Sequence, residues 1–347
     1  MGGKVLNIKK KHHFVSQFYL KNWLLKPNAK ICAWDGEEYF FETGTENIAH
    51  SKSFYKIVPL KEQQINLFDE FATSFDFTDL SEYKDVIKPI IKLQKTIILS
   101  KGLICLIGEE NIEGVDKKVD LSEKQTQQNT LEDKFSFAEG MFSILFKKII
   151  NGNIGNLPVI TFKDYDLIAY FIAFQLAKTP KKIRKITFND GHPIYDQMLN
   201  KFDFTEDELH TFTLFLLQCF TEKMYLSILN KLYKLNIYYN NSDINFITSD
   251  DPCFNQKNDE QKFHVQIPIS PKVMIEITEN LDEMKDKMIP YYEYHKENLE
   301  FIELNDSLVK FMEIDSDEVL RLNRKMEKNK EQFVYGLCKE DFLGIKS

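Results

Sequence analysis

The chain has 347 residues, 43% apolar and 28% charged, a balance that excludes a disordered or collagen-like polymer. Its 45 Lys+Arg against 53 Asp+Glu give a net charge of −8, which argues against coating nucleic acid through bulk charge but leaves room for a local basic groove. The length suits one large domain or two ordinary ones, and burial of roughly 75% of the unfolded surface makes a disulfide or metal staple unnecessary.

Taken in chain order, the first residues (MGGKVLNIKKKHHF) are basic but lack the apolar core of a signal peptide. FVSQFYLKNW (14–23) is expected to open a helix capped by Ser16. In 30–42, aromatic-rich runs flank Asp35-Gly36, predicting a hairpin, and 53–57 (SFYKI) reads as a short strand. The polar, aromatic-free stretch 109–130 is expected to be a mobile insertion. Leu131, Phe135, Ala138, Phe142, Leu145 and Ile149 then recur at three- and four-residue steps, an amphipathic helix ending near Asn151-Gly152. Leu167, Ile168, Phe171, Ile172 and Phe174 repeat the pattern, which Pro180 ends or kinks. Residues 205–234 predict a helix with an acidic first turn and a basic last turn. Its apolar stretch at 211–220 is too short to span a bilayer and reads as buried.

The last third changes to short β-branched and aromatic runs (LNIYYNN, INFITSD, FHVQIPIS, KVMIEITEN), which predict strands. A helix over about 315–330 and a strand at 333–337 close the chain. The expected class is α+β, with β elements from the N-terminal and C-terminal thirds and a helical middle. Five widely spaced cysteines without a CxxC pair fit reduced thiols and a cytoplasmic setting with no membrane partner.

Four constellations could carry chemistry. In Lys11-His12-His13-Phe14-Val15-Ser16-Gln17, imidazoles able to move protons near neutral pH lie in a basic setting suited to phosphate. Neighbouring histidines in an extended segment point to opposite sides, so the pair is not expected to share one ion, and a solvated arm with a structural histidine is the plain alternative. Thr248-Ser249-Asp250-Asp251-Pro252 follows a strand, where two carboxylates would hold Mg²⁺ or, equally, form an Asx or Ser/Thr turn. Glu139 lies on or beside an apolar helix face and needs a Lys, Arg, His or metal partner, as a functional carboxylate or a structural hub; Gln175 is placed similarly. Arg321, Asn323 and Arg324 would read a phosphate or carboxylate, or else form a solvated helix face. Walker, dinucleotide-binding, zincin and nucleophile-elbow signatures are absent.

Together these motifs resemble a bacterial family, the domain of unknown function 4238. Its opening pattern resembles HH-[FY]-V-P-Q-F-Y-L-[RK]-N-[FW], matched by His12, His13, Phe14, Val15, Gln17, Phe18, Tyr19, Leu20, Lys21, Asn22 and Trp23, with Ser16 in place of Pro. An F-I-T-S-D-N-P pattern is similar to Phe246–Pro252, with Asp251 in place of Asn. Weaker matches are Pro268-Ile269-Ser270-Pro271, Lys178-Thr179-Pro180 and Leu322-Asn323. The resemblance spans about residues 10–337 and implies a single family domain over 1–347 with a variable insertion at about 61–130, but no assigned activity or catalytic residues. It does imply an association with anti-phage defence, favouring an effector that attacks nucleic acid.

The expected function is therefore a nuclease-like hydrolase acting on nucleic acid phosphodiesters. His12, His13, Gln17 and Asp250 form its catalytic set. Asp250, Asp251 and Glu139 hold Mg²⁺ or Mn²⁺, and Lys11, Arg321, Asn323 and Arg324 hold phosphate. The alternative is a non-enzymatic sensor or binding module in which the same His, Gln and Asp groups form a structural polar network.

Overall fold

The computed structural model describes residues 8–107, 114–186, 198–255, 263–279 and 302–345. The class is α+β, as the strand-helix-strand order predicted. The chain forms two compact units, one from residues 1–12, 51–137 and 182–223, the other from 13–50, 138–181 and 224–347. Strands β1 (Lys11–His13) and β4 (His50–Lys52) pair as a two-stranded ribbon.

The first unit is helical. It holds α2 (Glu62–Ser74), a π-helical turn (Glu82–Ile87), α3 (Lys88–Ile107), the first part of α4 (Val115–Ile150) and most of α7 (Glu206–Asn230). Its core is aromatic: Phe68 packs on Phe212, Phe215 and Tyr83, and Phe77 on Phe220, mostly edge to face. Glu222 accepts the Ser81 and Glu82 amides and the Ser81 hydroxyl, so it caps the π-helical turn.

Here three expectations fail. Residues 115–130 are the first four turns of α4, so a polar, aromatic-free run is helical; its Gln, Glu and Lys content favours helix once one edge packs. The rest of that predicted segment, 109–113, lies outside the described residues. The segment 53–57 is a turn and extended chain rather than a strand. Helix α7 keeps its acidic first turn but stops at Asn230, short of the expected basic last turn. By length and composition α7 could cross a membrane, although 61% of its most apolar window is buried in the structure.

The second unit is built on two sheets. A five-stranded sheet runs in the order β10-β5-β9-β8-β7, from β5 (Lys234–Asn240), β7 (Phe254–Asn255), β8 (His264–Ser270), β9 (Val273–Thr278) and β10 (Val309–Ile314). Only the β10–β5 pair is parallel. The second sheet, β3-β2-β11-β6, joins β2 (Ile31–Trp34) and β3 (Phe40–Thr43) to β6 (Thr248–Ser249) and β11 (Val334–Gly336), so strands from both ends of the chain share one sheet. The β2–β3 hairpin forms as predicted, but its connection runs from Asp35 to Tyr39 rather than through a two-residue turn. Gly36 adopts φ +96°, and Asp35 Oδ1 accepts the amides of Glu37 and Tyr39.

Helix α8 (Ser316–Asn329), capped by Asp315, buries Val319, Leu322 and Met326 against Trp34, Ile247, Met274 and Val334. Helix α5 (Phe162–Lys178) is capped by Thr161 and Asp164, and Phe171 packs on Phe142 and Phe146 of α4. Pro180 is the first residue of α6 (Pro180–Ile186), where its missing N–H costs nothing.

Candidate functional site

The N-terminal motif folds as β1, a single turn of helix α1 (Gln17–Leu20) and a 3₁₀ turn at 21–23. Val15, Tyr19, Leu20 and Trp23 are buried and anchor it. Tyr19 donates its hydroxyl proton to the Pro268 carbonyl (2.6 Å) and pairs with Thr248 Oγ1 (2.7 Å). Trp23 Nε1 donates to the Phe246 carbonyl (3.0 Å), and Asn22 Nδ2 to that of Ile269 (2.8 Å). The opening motif thus meets the two later motifs, at 246–252 and 268–271, through side-chain hydrogen bonds, most of them to backbone, rather than through a shared sheet.

Burying residues 19, 20 and 23 leaves the other side of the turn outward. His13, Gln17 and Lys21 follow at four-residue steps, and Gln17 Nε2 lies 3.2 Å from His13 Nε2. An amide nitrogen only donates, so His13 Nε2 accepts and the ring carries its proton on Nδ1. The His50 ring meets His13 at its edge, 5.3 Å between centroids. Gln17 and Lys21 line a cleft of about 770 Å³ whose remaining wall includes Lys26, Lys30 and Thr45, with Glu46 as its acid. Three lysines against one carboxylate make it basic within an acidic protein.

Beneath this turn, Ser16 replaces the expected cap with a different role. Its backbone is at the N-cap, but its hydroxyl donates to Glu139 Oε1 (2.5 Å). The same oxygen accepts from Lys178 Nζ (2.5 Å), whose side chain is 2% exposed. Glu139 therefore has the cationic partner its position called for. Lys178 also lies over the Phe174 ring at 4.7 Å, and Gln175 Nε2 donates to the Phe14 carbonyl.

The other predicted residues are placed elsewhere. His12 is in the first unit, fully buried and stacked on Tyr55; its Nδ1 accepts the Tyr55 amide (2.7 Å) and its Nε2 meets the Lys9 carbonyl (3.1 Å). Burial lowers its pKa, so it is neutral and structural near pH 7. As expected for adjacent histidines, His13 faces the other way; Lys11 is exposed in the first unit. Asp250 is 4% exposed, and its carboxylate accepts the amides of Glu331, Gln332 and Phe333 at 2.7–3.0 Å. Burial pushes its pKa up, and those amides pull the other way.

Asp251 accepts from Thr179 Oγ1 and Asn329 Nδ2, with Lys181 Nζ at 3.9 Å, while its own amide bonds Ser249 Oγ in a Ser/Thr turn. Asn323 Oδ1 accepts the Ile247 amide and its Nδ2 donates to the Asn245 carbonyl. Arg321 makes a two-point pair with Glu318, and Arg324 donates to the Gly344 carbonyl. Asp250, Asp251 and Glu139 are thus each committed to different partners. Among the described residues no group of three or more His, Cys, Asp or Glu is arranged to hold a metal.

The lysines of the 21–30 segment and Lys178 are absent from the predicted site. The four-residue spacing His13-Gln17-Lys21 was readable; the return of residues 26–30 to the same cleft was not. A polar face on the five-stranded sheet was missed as well. Asn236, Gln266 and Glu276 stand opposite one another on β5, β8 and β9, and Asn236 and Gln266 both donate to Glu276. Its signal is the alternation of polar residues through LNIYYN, HVQIPIS and VMIEIT.

Against known proteins, no curated protein and no solved structure matches the chain. A model of a protein family of unknown function, DUF4238, matches residues 11–340, nearly its whole length. With both motifs and the elements between them inside that match, the chain belongs to the DUF4238 family.

Proposed function

We propose that the lysine-lined cleft binds a nucleic acid phosphodiester and that His13 is the proton-transfer group beside it, making the protein a nuclease-like hydrolase. The observation that carries this reading is Gln17, which lines the cleft and at the same time holds His13 in one tautomer. Lys21, Lys26 and Lys30 would bind the phosphate oxygens and offset charge that builds on them during attack. The His13 imidazole would take a proton from the attacking water at Nε2 once the Gln17 amide releases that lone pair, since Nδ1 already carries the ring proton, and would return it to the leaving oxygen. Gln17 positions the ring by holding that nitrogen before substrate enters. Asp250 and Asn323 belong, in this reading, to the frame behind the site.

The test is cleavage of single- and double-stranded DNA and RNA by the purified chain, with and without Mg²⁺ or Mn²⁺. His13→Ala is expected to abolish turnover. Lys26→Ala with Lys30→Ala should weaken substrate binding with a shallower salt dependence, since fewer phosphates are neutralised. A folded parent that cleaves none of these substrates and binds none of them overturns the proposal.

A further inference from the structure

We propose that the polar face formed by Asn236, Gln266, Glu276 and Thr278 binds a small organic cation carrying a planar fork of N–H donors, an amidinium or guanidinium. The site stands independently of the lysine cleft. On β9, Glu276 and Thr278 project to the same side; Asn236 and Gln266 flank Glu276 on the two neighbouring strands, and Thr278 is paired with Lys234 and His264. The opposite side of the same strands carries Leu235, Ile237, Val265, Ile267, Ile275 and Ile277, all buried. A central sheet would ordinarily fill both buried faces with apolar side chains, so this polar group calls for a physical reason.

The hydrogen bonds show which chemistry is unmet. Glu276 Oε1 accepts from Asn236 Nδ2 (3.0 Å), and Oε2 from Gln266 Nε2 (2.6 Å) and Tyr238 Oη (3.0 Å). With the amide nitrogens turned inward to the carboxylate, the amide oxygens are left over. Asn236 Oδ1, Gln266 Oε1 and Thr278 Oγ1 have no partner, and each of these side chains is more than nine-tenths buried. Neither Arg321, held by Glu318, nor Lys325 reaches these oxygens, although both feel the Glu276 charge.

Unpaired oxygens around a carboxylate repel an anion and suit a donor-rich cation. They are spread over three strands about 4.8 Å apart, which a rigid fork of divergent N–H groups spans better than a point ammonium does. His264 stands at the edge of the group, its side chain 18% exposed and its buried Nε2 3.3 Å from Glu276 Oε2. The burial penalty on Glu276 is outweighed by the adjacent His264 ring and the hydrogen bonds from Gln266 and Asn236, which hold its carboxyl below the usual range.

The experiment is titration calorimetry of the full chain with agmatine, a guanidinium probe, and with putrescine, which offers only ammoniums. Saturable agmatine binding is expected, with putrescine weaker. Thr278→Val, which keeps the shape and removes one unpaired oxygen, should weaken agmatine about tenfold while leaving the thermal midpoint unchanged or higher. Glu276→Gln should abolish binding; if that variant fails to fold, Thr278→Val carries the test. The proposal is overturned by a folded parent that binds no agmatine, by equal affinity in Thr278→Val, or by putrescine binding as tightly as agmatine.

Discussion

Replacing Lys178 by methionine removes the cation from the ion pair beneath the N-terminal motif and keeps most of the side-chain volume. The Lys178 side chain is 2% exposed and Glu139 20%, so the pair sits where solvent screens little. Glu139 would retain the Ser16 hydroxyl at 2.5 Å but lose its compensating charge. Breaking such a pair from one side costs about 3–5 kcal/mol, because the surviving charge stays buried and uncompensated. For a cooperative unit of this size that is a fall of roughly 6–20 °C in thermal midpoint. Glu139→Leu should cost a comparable amount by stranding the ammonium against the Phe174 ring. The double variant should recover most of the loss, since neither charge then needs a partner. Urea unfolding of the parent, the two single variants and the double variant closes the cycle. Single losses under about 1 kcal/mol, or a double variant as unstable as the two singles summed, would refute the assignment of a strongly coupled buried pair.

Asp250→Ala should destabilise by roughly 2–4 kcal/mol, seen as a lower urea midpoint, because three backbone amides at 331–333 lose their acceptor together. Asp250→Asn, which keeps one acceptor oxygen, should cost about half as much; no loss in either variant would detach Asp250 from the frame. Tyr19→Phe should cost about 1–2 kcal/mol by chemical denaturation, leaving the Pro268 carbonyl and Thr248 hydroxyl unpaired in a buried place. His12 has a folded pKa below its unfolded value near 6.5, so between the two values the unfolded chain binds more protons and stability rises with pH. Its contribution is complete above about 6.5 and is lost as pH falls below that value. Thermal midpoints measured from pH 8 to pH 5 should fall more steeply in the parent than in His12→Asn, and equal slopes would count against a buried neutral imidazole.

What the residues alone determined was local. The helix beginning near Asp315, the hairpin around Gly36, the apolar stripe of α4 and the short strands of the last third follow from side-chain chemistry within a few positions of each other, whereas the cap expected at Ser16 does not form. The helical state of 115–130 was hidden for the converse reason: a polar run has no periodicity to read, and packing along one edge decides it. That Glu139 needed a cation was legible from burial cost; that the cation is Lys178, 39 positions later, was settled only when two helices met.

The same limit governs the candidate site. The motif His13-Gln17-Lys21 announces itself by spacing, whereas the cleft needs residues 26–30 and 44–46 to return to it. By type Asp250 looked like a reacting group and Asn323 like a phosphate-holding one, but tertiary folding gave their hydrogen bonds to backbone amides and carbonyls. A side chain's identity fixes which bonds it can make. Only the fold decides whether backbone, a neighbouring charge or a ligand takes them.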